Sequence, residues 1–309
     1  MYFGSVRFFK HLILAILVLL ITVPLTVSVV LGVQNRALRR QLGMAQSGGE
    51  SSGMRVSAAG MDTEGEKTPP AEEPMPEPTP ESMPQGPDYQ ELYPDLYAME
   101  WEQGTVDTEK TVYLTFDDGP TAQTAEVLAL LERYDIKATF FAVRREHDEE
   151  NVRRMLEVAE AGHALGIHSY SHDYKKIYAS VEDYLDDFYR MYQFIFKVTG
   201  EYPQIFRFPG GSINGYNTGI YQDIIAEMER RGFVYFDWNV DAADTIANAN
   251  LENVIKRALA GTGKRRALIL MHDSGNPTSL AALPEIIQGY LDAGFTFSVL
   301  TPEVRQITL

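Results

Sequence analysis

From residue 112 onward, short apolar runs alternate with longer stretches of helical periodicity, and this alternation limits the fold more than any other feature. The runs Val112–Phe116, Ala138–Val143, Ala164–His168, Ile205–Phe208, Val234–Val240, Ala267–His272 and Thr296–Leu300 are nearly continuous in apolar side chains. Strands of that kind are buried on both faces, as in parallel sheets covered by helices. The patterns Glu149–Ala161, Val181–Thr199, Tyr221–Arg231, Leu251–Ala260 and Leu280–Ala293 supply the cover. About seven such units curling on themselves predict an α/β fold, an irregular (β/α) barrel, over residues 93–309.

Two other regions precede it. Leu12–Val33 holds 22 residues without a charge; as a helix it reaches roughly 33 Å, enough to cross a bilayer. A cleaved signal peptide is the alternative, but its apolar part is normally only about 7–15 residues. The expectation is therefore a short cytoplasmic stub at 1–11 and an uncleaved transmembrane anchor at 12–33. The flanking charges do not orient it, because Arg7 and Lys10 precede the span while Arg36, Arg39 and Arg40 follow it. Residues 34–92 form a juxtamembrane segment and a Pro/Glu-rich linker, with proline at nearly every second or third position from Pro69 to Pro87. Such a stretch reads as an extended spacer that holds a domain away from the membrane, or as an unselected tail.

The formal net charge is -16, and residues 101–309 carry 31 acidic against 20 basic side chains. A domain this acidic repels phosphate backbones, which excludes nucleic-acid binding. The absence of cysteine excludes disulfides, thiolate metal sites and a cysteine nucleophile.

The polar residues that stand out fall at the C-terminal ends of the expected strands, the face on which barrels build active sites. Thr115-Phe116-Asp117-Asp118-Gly119-Pro120 puts two adjacent carboxylates there. The pair reads either as a turn with a helix-capping Asp or as an anionic site that a cation would relieve. In His168-Ser169-Tyr170-Ser171-His172 the histidines are four apart, and on a helix they would share a face and grip one metal ion. Arg207-Phe208-Pro209-Gly210-Gly211 offers an Arg fork for a carboxylate and a turn that exposes backbone N–H groups. Asp237-Trp238-Asn239-Val240-Asp241, with Asp244 close behind, and the apolar run Leu268–His272 complete the set. Of six histidines, three lie at these strand ends.

In order and spacing these five motifs resemble the polysaccharide deacetylase family (carbohydrate esterase family 4, the NodB-homology domain) over about residues 105–302. The resemblance implies a hydrolase acting on the linear amides of N-acetylated sugars. Asp118, His168 and His172 look like ligands of a divalent ion, zinc as a rule, with cobalt, nickel or manganese as substitutes. Asp117 would be the general base, oriented by Arg207. The backbone N–H of Gly210, where relatives often have Tyr, would face the oxyanion. His272 would be the general acid, with Asp241 hydrogen-bonded to it. Leu270 and Trp238 would wall the acetyl pocket. Thr245 stands where many relatives carry Trp, which leaves substrate shape open. Tyr170, Tyr174, Tyr178, Tyr216 and Tyr221 are candidates for sugar stacking.

The expected partner is an N-acetylated polysaccharide outside the cell, peptidoglycan first and a chitin-like polymer next, with O-acetyl xylan a further option. Two competing functions are a silent, membrane-anchored glycan-binding module and an amidohydrolase of small molecules. Loss of a ligand, base or acid would mark the first, and none is missing. A diffusing metabolite needs no tether or spacer, which counts against the second.

Overall fold

The computed structural model describes residues 86–101, 109–144, 149–247 and 249–309. The stub, the anchor and the linker up to residue 85 lie outside the described residues. Among the described residues no helix is long and apolar enough to cross a membrane.

In chain order the elements are β1 (Thr111–Asp117), α1 (Thr124–Arg133), β2 (Thr139–Val143), α2 (Glu149–Glu160), β3 (Ala164–Ser169), α3 (Tyr174–Ile177) and α4 (Val181–Thr199). There follow β4 (Ile205–Phe206), α5 (Tyr221–Arg230), β5 (Val234–Tyr235), β6 (Val240–Asp241), α6 (Leu251–Leu259), β7 (Arg266–His272), α7 (Pro277–Asp292) and β8 (Thr296–Ser298). Seven strands run in the order β5-β4-β3-β2-β1-β7-β6, and β8 joins beside the start of β1. Every pairing is parallel. The result is the irregular (β/α) architecture expected, a curled half-barrel whose path ends at β5 and β6.

The run Val234–Val240 is not one strand but two short ones. Between them Asp237 turns inward to accept from Ser212 N–H and Oγ, and the Phe236 and Asp237 carbonyls accept from Arg207. Asn239 then substitutes for a strand partner: its Nδ2 donates to Arg266 O, and its Oδ1 accepts from Leu268 N–H. Side-chain bonds thus replace the ladder where the sheet bends.

Strand alternation divides the core. Val112, Leu114 and Phe116 of β1 face α1, α6 and α7, whereas Tyr113 points inward with Phe141, Phe236 and Leu268. The second outer cluster is built on α4, through Tyr184, Leu185, Phe188, Met191 and Ile195. α4 has the bounds its sequence pattern predicts because both ends are capped: Ser180 Oγ accepts from Asp183 N–H, and Gly200 at φ 79° supplies the left-handed stop. α7 starts three residues before the expected Leu280, since Asn276 caps it and Pro277 fits its first turn.

Residues 88–92, which the sequence reading places at the end of the linker, are part of the folded domain. The 3-10 turn Asp88–Glu91 and the chain to Tyr97 are collected by Arg231. Its guanidinium donates to the carbonyls of Leu92, Tyr93 and Leu96 and is bonded to Glu227 at 2.6 Å. Arg230 adds a bond to Tyr97 Oη.

Candidate active site

The site is assembled where β1, β3 and β7 end. β1 and β7 lie side by side with Asp117 opposite His272 in register. Asp117 is 3% exposed, and its Oδ1 accepts from Arg207 at 2.8 Å. Arg207 is wholly buried. It also donates to Thr115 Oγ1 and to the Phe236 and Asp237 carbonyls, and its guanidinium carbon lies 4.3 Å from the centre of the Phe141 ring. With Arg207 held by these bonds, the carboxylate of Asp117 is fixed, and its Oδ2 faces His168 Nε2 at 4.0 Å. This is the Arg–Asp pairing the sequence anticipates.

The two histidines do converge, but not on a helix. His168 is in β3 and His172 in the loop beyond it, with φ 55°. A strand followed by a tight turn brings them together as four-residue helical spacing would have done. The turn is held by Asp187 of α4, whose carboxylate accepts from Ser169 Oγ, Tyr170 N–H and Ser171 N–H at 2.6–2.8 Å. Ser169 Oγ in turn accepts from His172 N–H at 2.7 Å. The role of Asp187 went unread in the sequence. Its one signal is an acid on the buried face of α4, among Tyr184, Leu185, Phe188 and Met191.

Asp118 and His172 both have left-handed backbone, φ 70° and 55°. Asp and His tolerate this region better than most residues, yet each such conformation costs on the order of 1–3 kcal/mol and needs a structure that enforces it. Asp273 enforces the first. It accepts from Thr121 Oγ1 and Thr124 Oγ1 at the start of α1, while its N–H donates to Asp117 O. It packs so tightly against Gly119 that a Cβ there would sit 2.5 Å from its Oδ2.

The donor set fits a divalent ion. His168 Nδ1 lies 2.9 Å from the carbonyl oxygen of Arg207, which only accepts, so Nδ1 holds the proton. Burial lowers the pKa of this ring, so it is neutral and Nε2 presents a lone pair. That lone pair faces Asp118 Oδ1 at 3.5 Å, and His172 Nε2 is 3.1 Å from the same oxygen. The three donor atoms lie within 4.8 Å of one another. Lone pairs gathered around a carboxylate repel unless a positive charge sits among them. Two imidazoles and a carboxylate suit zinc and its neighbours while leaving positions open.

His272 has a different partner from the one expected. Asp241 does not reach it: its carboxylate accepts from Arg257 and from Ala243 N–H, on a half-exposed edge. The partner is Asp244, wholly buried, whose Oδ1 is 2.8 Å from His272 Nδ1 and whose Oδ2 accepts from His272 N–H and Ser279 Oγ. The chain leaves β6 through Ala243 at φ 52°, and this turn carries Asp241 away and brings Asp244 in. Burial alone would lower the His272 pKa. The bond to Asp244 and the charge of Asp117 outweigh it and raise the pKa to about 9.

Gly210 sits at the rim with φ 78°. Tyr178 Oη and Asn214 Nδ2 both donate to the Pro209 carbonyl. Because a trans peptide points N–H opposite to C=O, the Gly210 N–H is aimed away from these two donors. A Cβ on Gly210 would lie 2.8 Å from Tyr174 Cε1, so the Tyr174 ring fills the space that a side chain at 210 would take. Leu270 is buried in β7, and Trp238 is half-buried with its ring 5.8 Å from the Arg207 guanidinium. Of the five tyrosines, Tyr174 packs edge-on to His172, and Tyr216, 55% exposed, leans on Tyr174 with ring centres 5.2 Å apart. Tyr178 is buried and structural.

The sequence profile of the polysaccharide deacetylase family matches residues 104–233. A peptidoglycan-N-acetylglucosamine deacetylase of Bacillus cereus is 35% identical over 199 residues, covering 63% of this chain and 70% of that protein. A putative polysaccharide deacetylase of Bacillus subtilis, YheN, is 32% identical, over 67% of this chain and 73% of its own length. Among solved structures, the catalytic domain of a peptidoglycan N-acetylglucosamine deacetylase from Eubacterium rectale superposes with a TM-score of 0.64 at 33% identity, covering 68% of this chain and 96% of that one. Sequence, fold and site converge: this chain belongs to the polysaccharide deacetylase family.

Proposed function

We propose that this polysaccharide deacetylase removes N-acetyl groups from N-acetylglucosamine residues of peptidoglycan, using a divalent ion, and that it works outside the cell from a membrane tether. The observation that carries the chemistry is the pairing of Asp117 with His272 across β1 and β7, each locked by its own buried partner, beside the Asp118–His168–His172 cluster.

Asp118, His168 and His172 would hold the ion, which when bound polarises the acetyl carbonyl and makes a water easier to deprotonate. Asp117 takes the proton of the attacking water, its carboxylate held in place by Arg207. The Gly210 N–H donates to the oxygen that becomes negative as the carbonyl carbon turns tetrahedral. His272 gives its Nε2 proton to the leaving nitrogen. Asp244 accepts from Nδ1, so the proton on Nε2 is the one to be given up, and the raised pKa keeps the ring charged through neutral pH. Leu270 and Trp238 supply the apolar side for the acetyl methyl.

Peptidoglycan as substrate is supported by the names of the relatives in Bacillus cereus and Listeria monocytogenes, both peptidoglycan-N-acetylglucosamine deacetylases. An extracellular site is the reading that polymer's place supports, and the charge-free stretch Leu12–Val33 supports the tether. The test is acetate release from N-acetylglucosamine oligomers and from peptidoglycan by the full chain, stripped of metal and reloaded. Release that needs the ion supports the reading. One bound ion per chain with no release from any glycan would overturn it in favour of a small-molecule amidohydrolase. Protease accessibility of residues 93–309 in intact cells tests location; protection inside the cell would sink that part.

A further inference from the structure

The turn that carries Gly210 has two glycines in the left-handed region, Gly210 at φ 78° and Gly211 at φ 89°. Glycine gives the backbone its widest freedom, so such a turn keeps one shape only if its neighbours impose it. On one side Asn214 and Asn217 do so, donating to the Gly211 and Ser212 carbonyls at 3.0 Å. On the other side stands Asp237, which is wholly buried. Its Oδ1 accepts from Ser212 N–H at 2.8 Å and its Oδ2 from Ser212 Oγ at 2.6 Å, while its carbonyl accepts from Arg207 at 2.9 Å. One residue thus grips both ends of the Arg207–Ser212 segment. Gly211 N–H is committed to the Phe208 carbonyl and Ser212 N–H to Asp237, whereas Gly210 N–H is the donor given above to the oxyanion.

Asp237 is itself held by a distant part of the chain. Leu309 N–H donates to its Oδ2 at 2.9 Å, and Asp237 N–H donates to the Ile307 carbonyl at 2.9 Å. Three donors on two oxygens suit a carboxylate, which only accepts. The segment 304–309 is a strap between two strands of the sheet. Gln306 Nε2 donates to the Tyr235 carbonyl in β5, and Arg266, at the start of β7, donates to the Arg305 and Gln306 carbonyls. Val304 and Ile307 pack with Trp238 on the inner cluster. The strap also flanks the turn itself, because a Cβ at Gly211 would sit 2.9 Å from Leu309 Cδ1 and 3.2 Å from Trp238 Cη2.

We infer that Asp237 is a positioning residue for the reaction: it fixes the direction of the Gly210 N–H, and the strap 304–309 in turn fixes Asp237. An oxyanion donor acts through geometry. It must meet the oxygen where that atom arrives as the carbon turns tetrahedral, and a misplacement of about 1 Å can cost about 10²-fold in rate. Asp237 acts through the turn and not by touching the reacting atoms. The inference rests on the deacetylase reading above, which assigns the oxyanion to Gly210, and adds what holds that donor in place.

The test uses the full chain with metal and an N-acetylglucosamine oligomer, and compares Asp237→Ala with Asp237→Asn. In Asp237→Ala, kcat per folded molecule is expected to fall about tenfold or more with KM within about twofold, because the donor engages charge that appears only in the transition state. Bound metal should stay at the native level. The amides of 210–213 should exchange with deuterium about tenfold faster than in the native chain. Asparagine keeps an acceptor for Ser212 N–H and should restore most of kcat and of the protection. A lower Tm with native kcat per folded molecule, or a rise in KM alone, overturns the proposal and leaves Asp237 a structural residue. Where Asp237→Ala does not fold, Ser212→Ala and Leu309→Pro take its place, each removing one donor from the carboxylate. Each is expected to lower kcat about threefold, and Leu309→Ala, which keeps its N–H, should lower it less than Leu309→Pro. Native kcat in Leu309→Pro removes the strap from the proposal, and native kcat in Ser212→Ala as well overturns it. If no glycan releases acetate, the deacetylase reading fails and exchange decides the clamp alone. Faster exchange confined to 210–213 in Asp237→Ala or Ser212→Ala supports it, and native exchange there removes it.

Discussion

Among the described residues two arginines are buried almost completely, and they serve opposite ends. Arg207, at the C-terminal rim of the sheet, gives one N–H to Asp117 and leaves the second oxygen of that carboxylate facing the His168 ring. Arg231, under the segment 88–97, is paired with Glu227, whose Oε1 also accepts from Arg230 and whose Oε2 accepts from Arg230 Nε. The first carboxylate is half-committed and can take a proton. The second is saturated and can only hold. Both pairs carry the desolvation penalty of buried charge, and the difference lies in which bonds are left unmade.

The comparison is most exposed to an Asp117→Asn substitution, which keeps the shape and removes the proposed base. Acetate release is expected to fall by about 10²–10⁴-fold, while metal content and the thermal melting curve stay close to those of the native chain. A variant that loses its metal or unfolds would show that Asp117 is structural, like Glu227. Next come Arg207→Met, which strands the buried Asp117 carboxylate at a cost of about 3 kcal/mol in denaturant unfolding, and Arg231→Met, which leaves Glu227 bonded to Arg230 and is expected to cost less. Activity per folded molecule should fall in the first and hold in the second. Equal loss in both would show that the two arginines serve the fold alike.

Asp244→Asn is expected to lower kcat by about tenfold or more and to move the alkaline limb of its pH profile. The sign follows from His272. Its pKa of about 9 keeps the acid charged up to that pH, so losing the carboxylate brings the fall in rate down towards the ordinary histidine range. Asp241→Asn, which touches Arg257 instead, should leave the limb in place; a shift there would restore Asp241 as the partner.

The smallest effect separates the pH dependence of the fold from that of the chemistry. His163, just before β3, accepts from Ala138 N–H through Nδ1 and lies edge-on to Phe140. Burial, with the charge of Lys137, lowers its pKa to about 4. The native state therefore binds fewer protons than the unfolded one between about pH 6.5 and 4. Its contribution is complete above 6.5 and is lost as pH falls through that window. A drop in Tm of about a few degrees is expected there, flattened in His163→Gln. No difference between the two chains would show that His163 is not the group responsible.

Much of the site was legible because strand-end placement is a local property. Apolar runs that end in Asp117-Asp118, His168, Arg207 and His272 mark one rim of a parallel sheet, whatever the rest of the chain does. The partners of those residues were not legible in the same way. Asp241 ends β6 and Asp244 lies three residues on, and only the turn through Ala243 selects Asp244. Asp187 lies on a helix that, by pattern alone, is amphipathic cover for the sheet, yet it shapes the loop that brings His172 to Asp118. The exchange at Gly210, where the Tyr174 ring occupies the space of a missing side chain, joins residues 36 positions apart.

The sequence by itself determined the α/β class and the alternation of strands and helices, since periodicity is carried by neighbours along the chain, while the candidate base, acid and three metal ligands came from the resemblance of its motifs to a known family. The tertiary structure decided which carboxylate serves His272, how a strand and a turn stand in for a helix between His168 and His172, and how Asp237 holds the turn that carries Gly210. These are contacts between distant segments, set by backbone turns and buried hydrogen bonds that no local pattern encodes.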